Sequence, residues 1–296
     1  MLRLGFETYM SISVIIPTRN AEKDIERSLQ MLQNQTVELD EIIVIDSQSD
    51  DKTESICRRM NKVVFIPVIQ SEFDHGGTRD WAFRQSRGDF VLFLTQDAIP
   101  ADEHYVEQLL SPFQDPEIAM VSGRQIAKKQ ASPIEKFVRE YNYPPESNVR
   151  AHKDIPVLGI KTFFASNVCS AYRRSAYLAV GGFNSPIITN EDMLIAARLI
   201  NSGYKIAYCA EAKVIHSHQL TLKQQFVRNY NIGVFMRKYK NDFRNISSSS
   251  EGMKMVKYVL SRLVKEKHIM QSVYFCVECV IKFIAYQLGS IKFLQK

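Results

Sequence analysis

Short apolar runs, each followed by a polar turn and an amphipathic stretch, set the rhythm of the first hundred residues. Residues 12–16 read as a strand stopped by Pro17, with a helix over 21–33 behind it. Ile25, Leu29 and Leu32 give that helix its apolar stripe, and Asn20 is placed to cap it. A second strand over 42–45, an acidic turn and a helix carrying Ile56 and Met60 repeat the plan. VVFIPV is a third strand, GGTRDWAFRQS a helix opened by two glycines, and FVLFL a fourth strand. Runs this apolar belong to strands buried on both faces. Strand and helix in alternation predict an α/β fold, a doubly wound parallel sheet with right-handed crossovers.

After Ala98 the rhythm changes. IAMVSGRQIA reads as an antiparallel edge strand, SPIEKFVREYNYP as a helix ended by prolines, and 145–160 as an irregular loop. KTFFASNVCSAYRRSAYLAVGGFN predicts a strand, a helix and a Gly-Gly turn. TNEDMLIAARLINSGYKIAYC predicts a capped helix, a stop at Gly203 and a strand. Helices are expected over 221–239 and 253–294, with the serine run 247–250 as a hinge. The domain reading is a catalytic body over 1–218, divided into 11–98 and 99–218, and a helical region over 219–296.

The chain's 296 residues, 45% of them hydrophobic, suffice for one large α/β body with an appendage and exclude disorder. Five scattered cysteines fit reduced thiols in the cytoplasm, and Cys276 and Cys279, at helical spacing, read as core residues. The first ten residues hold no sustained apolar segment, and no run of about 18 apolar residues occurs, so neither leader nor spanning helix is expected.

The net charge of +6 hides an asymmetry. Residues 1–218 carry 24 Lys and Arg against 28 Asp and Glu, whereas 219–296 carry 14 against 4. No nucleic-acid motif accompanies the basic region. An anionic membrane surface, worth about 1 kcal/mol per basic residue, is the better partner. Val256, Val259, Leu260, Leu263 and Val264 share one helical face, with Lys257, Arg262 and Lys265 off it. The apolar segment 272–294 either packs in a helical subdomain or homodimer interface, or lies on a membrane.

Candidate chemistry collects at strand ends, where open α/β sheets bind ligands. Asp97 follows the fourth strand in LTQDA and is either a ligand contact or a turn residue before Pro100. Asp46 ends the second strand and either binds a ligand or makes an Asx turn with Ser49 and Asp50. Gly76 and Gly77 open a helix of the kind that receives anions, with His75 at its rim and Arg79 within reach. Glu191 and Asp192 begin another helix, where acidic residues can serve simply as dipole partners. His216 and His218, two apart in an extended segment, point the same way.

VIIPTRN, VIDSQSDDKT, GGTRDWA, LTQDA, GGF and NEDMLIAARL, in this order over 11–218, resemble family 2 glycosyltransferases of the GT-A fold. FDHGGTRDWA, TQDAIP and HSHQLTLKQQF more narrowly resemble bacterial rhamnosyltransferases that use dTDP-L-rhamnose. The resemblance implies an inverting transfer of rhamnose to a glycan or lipid-linked glycan of a surface polysaccharide. It places the enzyme in the cytoplasm, peripheral to the membrane. Pro17, Thr18, Asn20, Asp46 and Ser47 would bind the nucleotide, and His75, Gly76, Gly77, Arg79 and Gln96 the rest of the donor. Asp97, with His216 and His218, would hold Mn²⁺ or Mg²⁺; Thr95 stands where the family commonly has a further carboxylate. Asp192 would be the general base, assisted by Glu191, and Ser166 and Asn167 would line the acceptor side. Two alternatives stay open: a UDP-hexose donor, or a non-catalytic nucleotide-sugar or glycan-binding module.

Overall fold

The computed structural model describes residues 10–218, 220–243, 246 and 249–291. Ser247 and Ser248 of the expected hinge therefore lie outside the described residues. The first half follows the alternating plan: β1 (Ile12–Thr18), α1 (Ile25–Gln33), β2 (Glu41–Asp46), α2 (Thr53–Cys57), β3 (Val63–Pro67), α3 (His75–Gln85) and β4 (Phe90–Leu94). β1 pairs in parallel with both β2 and β4, and β2 with β3. Successive strand side chains point to opposite faces, so each apolar strand feeds two cores. Val14, Ile16, Val44, Leu92 and Leu94 pack against α1 through Ile25, Leu29 and Leu32. Ile15, Ile43, Ile45, Val91 and Phe93 face the opposite layer, with Ala82 and Phe83 of α3.

The second half supplies β5 (Ile99–Pro100), α4 (Tyr105–Leu110), β6 (Ile118–Ile126), α5 (Pro133–Asn142), β7 (Asn148–Arg150) and α6 (Ile155–Leu158). It continues with β8 (Cys169–Arg173), α7 (Arg174–Ala179), α8 (Glu191–Asn201) and β9 (Lys205–Ile215). The strand order is β3-β2-β1-β4-β8-β6-β9-β5, with β7 also on β9. The mixed α/β sheet expected from the sequence is present, but its antiparallel pairing is not confined to an edge. β8 runs antiparallel between β4 and β6, and β6, read as an edge strand, lies inside the sheet between β8 and β9. The buried run from Ile118 to Gly123 is what an interior position requires. Sheet order brings the ends of β1, β2 and β4 together with the segment before β8.

Two helix starts differ from expectation. α1 begins at Ile25, and Asn20 adopts a left-handed φ of 50° while its Oδ1 accepts the N–H of Asp50, 3.0 Å away. Asn190 precedes α8 at φ 61° and its side chain caps nothing in the helix. Asparagine tolerates this region better than most side chains, so both serve as loop corners rather than caps.

The basic region forms α9 (Leu222–Lys238), α10 (Ser249–Lys265) and α11 (Ile269–Ser290). Phe235, Tyr239 and Phe243 enter the core beneath α8, and Val259, Leu263 and Phe275 pack on Ile134 and Phe137 of α5. α9 and α11 cross at two glycines: a Cβ on Gly233 would stand 2.2 Å from the Tyr286 carbonyl oxygen, and one on Gly289 would stand 2.1 Å from that of Tyr230. α11 is long and apolar enough to cross a membrane, contrary to the sequence expectation, and 17% of its most apolar window is buried. Cys276, expected in a core, is exposed; Cys279 packs partly against the α5–α10 cluster.

Candidate active site

Polar side chains from strand ends and loops converge on a cleft of about 960 Å³. It is lined by the start of α3, residues 164–168, residues 188–193, His218 and the first turns of α9. Glu191 and Asp192 stand on one wall because α8 begins there. Asn167 holds both. Its backbone N–H donates to Asp192 Oδ2 at 3.0 Å, and its Nδ2 to Glu191 Oε1 at 3.2 Å. Its own Oδ1 accepts from Ser170 Oγ and Tyr172 Oη, at 2.9 and 2.7 Å. Asn167 is only 3% exposed, so it positions the carboxylates from beneath rather than offering an open surface to an acceptor. Arg79, also buried, places a guanidinium nitrogen 3.7 Å from Glu191 Oε1. Burial and the neighbouring Glu191 carboxylate push Asp192 up to about 7, against the lowering effect of the Asn167 and Met193 N–H groups and Arg79. Asp192 is thus a carboxylate poised to exchange a proton near neutrality.

The second group sits where β4 ends. Asp97 Oδ2 lies 3.3 Å from His216 Nε2 and 3.3 Å from His218 Nε2. Ligand atoms of the three residues lie within 4.8 Å of one another. Burial works to raise the Asp97 carboxyl, but the two imidazoles outweigh it and hold it at about 2. Burial, foremost, keeps His216 below the ordinary imidazole value although Asp97 pulls it up, so at neutral pH the ring is neutral. His216 Nδ1 faces Gln125 Oε1 at 3.1 Å, while the buried Nε2 has no hydrogen-bond partner. A neutral imidazole nitrogen without a partner beside an ionised carboxylate is a donor set that fits a divalent cation. Thr95 Oγ1, at the cleft's floor, is likewise buried and unpartnered.

The nucleotide-side residues are ordered by their own contacts. Asp46 Oδ1 accepts from Thr18 Oγ1 at 2.9 Å and Ser49 Oγ at 2.5 Å, and Oδ2 accepts the Ser49 N–H at 2.8 Å. Of the turn foreseen for Asp46, only the Ser49 part forms, since the Asp50 N–H goes to Asn20 Oδ1; one lone-pair site is left on Oδ2 for a ligand. Ser47 donates its N–H to the Thr18 carbonyl, tying the ends of β1 and β2 beside Pro17. Gln96, expected on the donor, spends both ends of its amide on the backbone of Arg19, at 2.7 and 3.0 Å, and so braces two loops. Gly76 and Gly77 serve close packing: a Cβ on Gly76 would stand 2.0 Å from the Asn184 carbonyl oxygen, and one on Gly77 2.6 Å from Ser185 Oγ. Asp74 accepts the Gly77 N–H at 2.6 Å and caps α3, taking the place foreseen for an external anion. His75 and Arg79 line the cleft, with 3.2 Å between His75 Nδ1 and a guanidinium nitrogen. Ser166 lines it too, its Oγ accepting from Gln125 Nε2 at 2.9 Å.

The profile of Glycosyl transferase family 2 matches residues 13–181. The chain belongs to that family. This glycosyltransferase is 39% identical to an O-antigen chain rhamnosyltransferase of Salmonella typhimurium, over 95% of its own length and 90% of the relative's. A second O-antigen chain rhamnosyltransferase, from Salmonella anatum, is 40% identical over 94% and 89%. Among solved structures, a mannosyltransferase of Pyrobaculum calidifontis in complex with GDP-Man and Mn²⁺ superposes with a TM-score of 0.68 at 14% identity, covering 96% of this chain and 88% of that one. The TarS fragment 1–349 of Staphylococcus aureus, in complex with UDP-GlcNAc, gives 0.59 at 13% identity, covering 95% and 90%. At such identities the likeness establishes the GT-A fold.

Sequence reasoning missed Gln125 and Tyr143. Gln125 touches His216, Ser166, Tyr143 and Arg139 in the glycosyltransferase's interior. The available signal was slight: Gln125 follows Ser122 and Arg124 in the polar second half of β6, behind the apolar run 118–121.

Proposed function

We propose that this glycosyltransferase moves L-rhamnose from dTDP-β-L-rhamnose to a hydroxyl of a lipid-linked bacterial surface polysaccharide, with inversion at the anomeric carbon. Two rhamnosyltransferases similar over nearly the whole of both chains support the donor and the acceptor class. One observation carries the mechanism: the Glu191–Asp192 pair, held from below by Asn167, lines the same cleft as His218 of the Asp97 cluster. Asp192, its proton affinity tuned to neutrality, takes the acceptor hydroxyl's proton as the oxygen attacks. Glu191, neutralised in part by Arg79, holds the acceptor and keeps the local charge balanced. Attack from the face opposite the leaving diphosphate inverts the configuration, through an oxocarbenium-like transition state like that of glycoside hydrolysis. A divalent cation, Mn²⁺ or Mg²⁺, bound by Asp97, His216 and His218 would neutralise the diphosphate as it leaves. The remaining acceptor site on Asp46 Oδ2 suits the ring N–H of thymine, which uracil shares.

Thermal stabilisation of the purified protein by dTDP-rhamnose and by UDP-hexoses, each with Mn²⁺, tests the donor. The expected result is a larger shift with dTDP-rhamnose. A larger shift with a UDP-hexose would overturn the rhamnose assignment.

We also infer a peripheral seat on an anionic membrane. Met270, Val273, Val277, Val280 and Ile284 follow one another at spacings of three and four along α11, and all are exposed. α11 packs on α9, whose Val227 and Arg228 line the cleft, so the apolar stripe lies one helix away from the acceptor site. The stripe favours a helix lying on the bilayer, because Glu278 and Lys282 pair on its opposite, protein-facing side.

A further inference from the structure

We propose that Gln125 is the positioning residue of the Asp97–His216–His218 centre, its amide oxygen fixing the ring tautomer that presents His216 Nε2 to a bound cation. This rests on the metal reading above. The orientation of a buried amide is decided by partners whose chemistry is unambiguous. Arg139 can only donate, so the Gln125 atom that faces it is the carbonyl oxygen. The same oxygen lies 3.1 Å from His216 Nδ1. A neutral ring has one hydrogen for two flanking acceptors, Gln125 beside Nδ1 and Asp97 beside Nε2; the Gln125 oxygen favours Nδ1–H, which frees the Nε2 lone pair for a cation. The amide nitrogen spends its two hydrogens on Tyr143 Oη and Ser166 Oγ, at 2.7 and 2.9 Å. All four capacities of the side chain are used, at 4% exposure, so turning it over would set its N–H groups against the Arg139 guanidinium and the His216 Nδ1–H.

The scaffold behind it serves the second histidine as well. Glu135 and Arg139 pair one helical turn apart on α5, 3.3 Å apart and mostly buried. Glu135 Oε1 also accepts the backbone N–H of His218, at 3.2 Å. One ion pair on α5 therefore steadies both histidine positions: His216 through Gln125, and His218 through its backbone. A hydrogen-bonded acceptor behind a metal-binding imidazole commonly supports 10–100-fold in metal affinity.

The experiment is Mn²⁺ binding to the full-length protein without donor, read by electron paramagnetic resonance of free Mn²⁺. It is paired with ¹⁵N imidazole shifts of His216 in metal-free protein. Gln125→Met should weaken Mn²⁺ about 10–100-fold and lose the Nδ1–H signature. Gln125→Glu, which keeps an acceptor for both Arg139 and His216, should restore both. In a His216→Ala background, Gln125→Met should cost no further affinity. Affinity within twofold of wild type in Gln125→Met would overturn the proposal, as would a Gln125→Glu variant as weak as Gln125→Met. An additive loss in the His216→Ala background would overturn it too, marking a general packing role. Wild-type protein that fails to bind Mn²⁺ would overturn the metal reading and this inference with it.

Discussion

As the proposed general base, Asp192 combines two demands that oppose each other. A general base must be ionised to act, yet burial beside Glu191 disfavours its charge and raises it to about 7. Turnover should therefore rise as pH increases through about 7, and Asp192→Asn should lose 10²–10⁴-fold in kcat, about the usual contribution of a general base. Donor affinity should stay near wild type, as isothermal titration can check; unchanged kcat would remove Asp192 from the mechanism. Stability should run the other way. With its folded pKa above the unfolded value of 3.8, the carboxyl binds protons more tightly when folded, so its contribution is most favourable below about pH 4. That contribution is lost as pH climbs through about 7. The Asn variant should accordingly melt higher than wild type at pH 8, with the gain shrinking at pH 5. Asn167→Ala should show what the pair needs beneath it. Tyr172 and Ser170 lose a buried acceptor, which costs about 1–3 kcal/mol of stability, and kcat should fall with the orientation of Glu191. Denaturant titration and steady-state kinetics on one preparation check both effects.

At the scale of elements, what the sequence revealed depended on how local the cause was. The parallel half of the sheet was legible because apolar runs and their amphipathic followers are adjacent in the chain. The interior place of β6 was not, since its partners β8 and β9 are remote in sequence and its apolar run fits either position. The Asp97, His216 and His218 cluster was legible through resemblance, whereas Gln125 was not: His216, the partner that defines it, lies 91 residues away. The Gly-Gly start of α3 shows the opposite error. Its composition suited an anion site, but Asp74 occupies the N-terminus and the glycines admit the 184–187 loop instead. That loop leads directly to Asn190 and the carboxylates, so packing at Gly76 governs their placement. Gly76→Ala would drive a Cβ against the Asn184 carbonyl and Ile187 Cγ2. It should cost about 1–3 kcal/mol as overpacking does and lower kcat through the displaced loop. Wild-type melting and kcat would show that the loop yields without consequence.

On the proposed reading, the whole molecule divides its surfaces between chemistry and attachment. A balanced or mildly acidic body holds the cleft, while the basic helices carry a continuous apolar stripe that faces outward. Removing those helices would not isolate the attachment surface, because Val259, Leu263 and Phe275 also close the core over α5. Substituting outward residues alone does. Val273, Val280 and Phe283 are 59%, 56% and 62% exposed, so replacing them with Glu leaves the inner packing intact. Full burial of such a side chain in an apolar phase is worth about 1.5–3 kcal/mol, and each added carboxylate is repelled by anionic lipid. Val273→Glu, Val280→Glu and Phe283→Glu together should therefore cut sedimentation with phosphatidylglycerol vesicles by at least about tenfold. Turnover on a short soluble acceptor should not change, since none of the three lines the cleft. Unchanged vesicle binding would sink the membrane seat. If the same variant instead converts a dimer to a monomer in analytical ultracentrifugation, a second copy of the chain covers the stripe, and the acceptor must reach the cleft from solution.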